Sequence, residues 1–167
     1  MQLGTTQEKL KAVGVETVAV VNTRLERARL YFRYRPARVL LAADPDAATH
    51  RAFRLPAGVF VEDESATSWP MSATMGQLQS TLLNPTGELP EPMDPFAASE
   101  VLNRRDGFEL TEVDQQIAAE HATQLAGHFL VDRAGIIRWG QIEAGERIGD
   151  LAKFPTDDEI LRAARGL

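Results

Sequence analysis

The sequence predicts an α/β fold with a parallel sheet, and three stretches carry that prediction. Residues 15–21 and 39–43 are short apolar runs, each followed by a helical pattern, so two βα units stand in succession. Strands of that kind bury both faces when helices connect them in parallel. The third stretch, GHFLVDRAGIIRWGQIEA from Gly127 to Ala144, reads as a β-hairpin. His128-Phe129-Leu130-Val131 forms one strand, Asp132-Arg133-Ala134-Gly135 supplies the turn, and Ile136-Ile137-Arg138-Trp139 resumes the sheet. Asp can hydrogen-bond backbone further along such a turn, and Gly at its end tolerates positive φ.

Taken in order, Thr5 or Thr6 caps a helix that runs to Val13 and stops at Gly14. Residues 15–21 then read as a fully buried strand. Asn22-Thr23 cap the next helix, residues 24–34, whose Leu25, Ala28, Leu30, Tyr31, Phe32 and Tyr34 give it one apolar face ahead of Pro36. Residues 39–43 form the second strand, and Asp44-Pro45-Asp46 ends it and caps a short helix over residues 47–53. Residues 58–62 make a further short strand beside the sheet edge. From Asp63 to Gln124 the chain is rich in turns, with Pro70, Pro85, Pro90, Pro92, Pro95, Gly76 and Gly87, yet it keeps Trp69, Leu78, Leu83, Phe96, Phe108 and other apolar residues for packing. Residues 97–103 read as one helix there. Thr111 with Asp114 opens another that runs to about Ala126. The chain closes on a helix from Thr156 to Ala164.

Composition narrows the function. With 167 residues, 44% hydrophobic and 25% charged, the chain is long enough for one domain with a real core. A net charge of -6 argues against nucleic acid or an anionic membrane surface as partner. No apolar run approaches the roughly 20 residues of a membrane span, and MQLGTTQEKL has no signal-peptide core, so a cytoplasmic location is expected. There is no cysteine, and therefore no disulfide and no thiolate metal site.

The hairpin with the helix after it resembles the last ββα of thioredoxin-fold proteins, and is most similar to the peroxiredoxin-like group called alkyl hydroperoxide reductase/thiol-specific antioxidant. Residues 10–21, 40–46 and 52–56 resemble that family's middle section in the same order. The resemblance implies a single thioredoxin-like (redoxin) domain over residues 1–167, with residues 63–124 an insertion packed on it. It also implies thiol-dependent reduction of a peroxide or disulfide. Family members act through a cysteine at the N-terminus of the first long helix, where the thiolate is favoured. This chain has none, and MQLGTTQEKLKAVG resembles the later part of that helix. The expectation is therefore a redoxin-like domain lacking its N-terminal strand and cysteine motif. The competing expectation is a non-catalytic thioredoxin-fold module for binding or dimerisation.

No catalytic, cofactor-binding or metal-ligating residue is assigned on this reading. His50, His121 and His128 show neither His-x-x-x-His nor His-x-x-Glu-His spacing, and each reads first as a structural histidine. His128 is the one to watch, because the start of this strand faces the reactive cysteine in thioredoxin-like folds. Thioredoxins place a cis-proline just before that strand and typical peroxiredoxins an arginine, whereas Leu125-Ala126-Gly127 contain neither. Glu62-Asp63-Glu64 read as solvated loop acids, Asn84-Pro85-Thr86-Gly87 and Arg104-Arg105-Asp106-Gly107 as turns, and Trp69 and Trp139 as packing anchors. No Gly-x-Ser-x-Gly elbow and no phosphate-binding loop occurs.

The absent first strand would lie at the centre of the sheet. Without it the strands beside it expose backbone groups that cost about 1–3 kcal/mol each when buried unpaired. Three outcomes are open: residues 15–21 pair directly with residues 129–131, a second copy or a strand-donating partner completes the sheet, or the natural protein is longer than this reading frame.

Overall fold

The structure is a computed structural model that describes residues 2–34, 36, 38–84, 87–121 and 123–166. The fold is mixed α/β with small sheets. The described strands form three sheets, of two, three and two strands. The chain divides into two compact units, one built from Met1–Phe53, Gly127–Gln141 and Pro155–Leu167, the other from Arg54–Ala126 and Ile142–Phe154. Residues 63–124, read from the sequence as an insertion, all fall in the second unit, together with residues 54–62, 125–126 and 142–154. Among the described residues no helix is long and apolar enough to cross a membrane.

The first unit opens on α1 (Gln2–Ala12). Thr6 lies inside this helix, not at its cap: it is 6% exposed and its hydroxyl donates to Asp157 Oδ1. At the other end Gly14 takes φ +82° and closes the helix as expected. Its N–H donates to the Lys11 carbonyl and the Val15 N–H to the Leu10 carbonyl, both at 3.0 Å, while the Val15 side chain packs against the cluster that holds Leu10. These are the hydrogen bonds and the apolar contact of a Schellman ending. Because Val15 is used in that ending, β1 begins only at Val18 and spans Val18–Val21. It is not fully buried either, since Val18 is 53% exposed.

From β1 the chain crosses through α2 (Leu25–Tyr34), whose Ala28 is buried, to β2 (Leu40–Ala43). The two strands pair in parallel from Val18 opposite Leu40 to Val21 opposite Ala43, as two successive βα units predict. Asp44 caps the next helix as expected, but it also extends the strand pairing by one bond. Its N–H continues the pairing to the Val21 carbonyl at 2.8 Å, and its carboxylate accepts from the Ala48 and Thr49 N–H groups at 3.0 and 2.6 Å. These are the first orphan donors of α3 (Ala48–Ala52).

A hairpin and a last helix complete the first unit. Its strands, β6 (Gly127–Val131) and β7 (Ile137–Ile142), pair with each other. In the turn Asp132 Oδ1 accepts from the Ala134 and Ile136 N–H groups at 2.8 and 2.9 Å, and Gly135 takes φ +80°. The helix, α7 (Asp157–Ala164), starts in a capping box between Thr156 and Glu159. Leu10 of α1, Leu130 of β6, and Ile160 and Ala164 of α7 form the core, with Val15 and Trp139 against it. The direct pairing of residues 15–21 with 129–131 does not occur among the described residues: β1 pairs with β2, and β6 with β7. The contact between the βα half and β6 runs through side chains, Phe53 on Phe129.

In the second unit β3 (Ala57–Phe60) is the middle strand of a sheet, parallel to β4 (Ser72–Ala73) and antiparallel to β5 (Thr123–Gln124). The strand read over residues 58–62 therefore spans Ala57–Phe60 and is hydrogen-bonded in a sheet other than the parallel pair. A helix missed by hydrophobic periodicity, α4 (Met75–Gln79), is specified by a capping box between Thr74 and Gln77. The helix read over residues 97–103 is longer, α5 (Pro95–Asp106), with Asp94 capping the Phe96 and Ala97 N–H groups, Pro95 in the first turn, and Gly107 at φ +67°. The next helix, α6 (Glu112–His121), ends sooner than residue 126, because residues 123 and 124 pair with β3. At its start Asp114 Oδ2 accepts from the Thr111 N–H at 2.8 Å, as the sequence suggests.

Candidate functional site

Of the three histidines that the sequence singles out, His50 and His128 belong to the first unit and His121 to the second. His50 lies on α3, and Phe53, three residues on, is its C-cap. His50 Nδ1 lies 3.8 Å from Asp44 Oδ2, and both side chains are 12% exposed. Desolvation pushes the Asp44 carboxyl up, but the N–H donors of Thr49 and Ala48 outweigh it, so the group sits below its ordinary value of 3.8. Asp44 is thus an ionised cap that also faces an imidazole. Phe53 meets Phe129 of β6 with ring centroids 4.8 Å apart and planes at 50°.

His128 is the second residue of β6 and is half-buried. Burial pushes its imidazole below the ordinary 6.5, so the ring is neutral at neutral pH. Beside it, Phe129 lies across Gly140 of β7. A Cβ on Gly140 would stand 2.8 Å from Phe129 Cδ1, closer than such atoms approach, and 3.0 Å from Cε1. Only glycine lets the ring occupy that place. Sequence reading missed Gly140, although a glycine inside a strand is itself the signal of a close approach.

The remaining candidates have structural partners. Asp63 caps a short 3₁₀ turn (Glu64–Ala66), accepting from the Ser65 N–H at 2.8 Å and hydroxyl at 2.7 Å. Arg104 pairs with Glu100 at 2.5 Å, and Arg105 with Asp106 at 2.7 Å and Glu88 at 3.3 Å, so each guanidinium already holds a carboxylate. Asn84 brackets Leu89, accepting from its N–H at 3.2 Å and donating to its carbonyl at 3.0 Å, while Pro85 and Thr86 lie outside the described residues. The His121 side chain also lies outside them. The Trp69 indole N–H donates to the Ala144 carbonyl at 2.5 Å, which makes it an anchor within the second unit. In the segment before the hairpin, Ala126 is held by Glu143: its N–H donates to Glu143 Oε2 at 3.3 Å and its carbonyl accepts from the Glu143 N–H at 2.8 Å. Glu143 Oε1 accepts from the Ala152 N–H as well. Sequence reading gave Glu143 no role, since nothing in its neighbours shows that it will tie two loops.

Among the described residues no group of three or more His, Asp or Glu is placed to hold a metal ion. Chemically, these residues offer one imidazole facing a carboxylate, a second imidazole held neutral, and two aromatic rings in tilted contact. They include no thiol, for the sequence holds no cysteine. Comparison with family models, with curated proteins and with solved structures returns no match.

Proposed function

We propose that this chain is the scaffold of a thioredoxin-fold, peroxiredoxin-like redox protein whose thiol chemistry belongs to a longer form carrying a cysteine. One observation carries the reading: the first unit is built, in chain order, from a helix, a parallel βαβ pair, a short helix, a hairpin and a capped final helix. That is the thioredoxin-like order without its first strand. In the cysteine-bearing form a thiolate attacks one peroxide oxygen and the O–O bond breaks. Sulfur becomes a sulfenic acid, and the other oxygen leaves as water or an alcohol. A donor dithiol then reduces the sulfenic acid back to the thiol, becoming a disulfide and releasing water.

The experiment compares the purified chain with a product extended by the in-frame upstream coding sequence. Both are assayed for peroxide consumption and for reduction of insulin disulfides with dithiothreitol as donor. The expected result is no activity in the short chain and activity in an extended, cysteine-bearing one. Activity without cysteine, or a cysteine-bearing extension inactive on both substrates, overturns the redox reading.

A second reading, a non-catalytic binding or dimerisation module, is favoured by an exposed apolar pair. Val18 and Leu40 stand opposite each other at the start of β1 and β2, 53% and 68% exposed. On that reading Leu40→Lys shifts the sedimentation coefficient towards that of a monomer. A wild-type chain that sediments as a monomer at every concentration removes the dimerisation form of this reading.

A further inference from the structure

We draw no further inference here: the strongest candidate, the open groove of about 500 Å³ between α5 and the segment that follows it, lined by Phe96, Arg104, Phe108 and Leu110, carries nothing because nothing in the structure shows what covers it.

Discussion

Replacing Gly140 by alanine tests whether the Phe129 ring is held where the structure puts it. The added Cβ falls 2.8 Å from Phe129 Cδ1, so the ring must turn away, and it is already engaged with Phe53 at 4.8 Å. Overpacking of this kind costs about 1–3 kcal/mol. Against that, alanine in a strand is favoured over glycine by roughly 0.5–1 kcal/mol on backbone entropy. The net expectation is a loss of about 1–2 kcal/mol. The decisive comparison is a double-mutant cycle with Phe129→Ala. Once the ring is gone the clash is gone, and Gly140→Ala becomes neutral or stabilising by roughly 0.5–1 kcal/mol. The coupling between the two sites is then about 1–3 kcal/mol, the range of residues in direct contact. Urea unfolding at pH 7 measures each corner, with Trp139 fluorescence in a Trp69→Phe background reporting on the hairpin. A cycle additive to within about 0.5 kcal/mol would refute the close approach.

Other perturbations follow from the same contacts. His128 has its proton affinity lowered by burial, so between its folded value and 6.5 the unfolded chain binds the proton and the native one does not. That contribution to stability is present above 6.5 and is lost as pH falls through the folded value. His128→Gln should therefore flatten the urea midpoint across the range just below 6.5, and a parallel shift of both profiles would count against it. Asp157 shows the carboxylate case. Lys9 and then Thr6, hydrogen-bonded to it, hold its carboxyl below the ordinary 3.8. Its stabilisation is present above 3.8 and is lost as pH falls through the folded value. Asp157→Asn should lower the urea midpoint at pH 7 and leave it unchanged at strongly acid pH; equal losses at both would contradict the pairing. Gly14 sits at φ +82°, and Gly14→Ala should cost about 1–2 kcal/mol by thermal melting, through the strain of a side chain in the left-handed region. An unchanged melting temperature would show that the helix ends differently.

The parts legible from sequence are those specified within a few residues. The hairpin turn needs only Asp132 and Gly135, α7 only Thr156 and Glu159, and the end of α1 only Gly14 with Val15. The parallel pairing of β1 with β2 was also readable, because two βα units leave little alternative. Thr6 was misread because a threonine near a chain start looks like a cap. What makes it a core residue is Asp157, 151 positions away. The C-terminal end of α6 was misplaced for a similar reason, since residues 123–124 continue a helical pattern but pair with β3. By contrast α4 was readable and missed: Thr74-Met75-Gly76-Gln77 is a capping box written out in full.

By itself the sequence determined the local pieces and one chemical limit. Caps, turns and apolar runs act over a few residues, and a chain without cysteine carries no thiol chemistry, whatever its fold. Only the tertiary structure decided which pieces meet. It kept the β1–β2 pair and the β6–β7 hairpin in separate sheets, brought His50 beside Asp44, and laid Phe129 across Gly140. These outcomes depend on contacts between residues far apart in the chain, where close packing and the pairing of backbone groups choose among arrangements that local preferences leave equal.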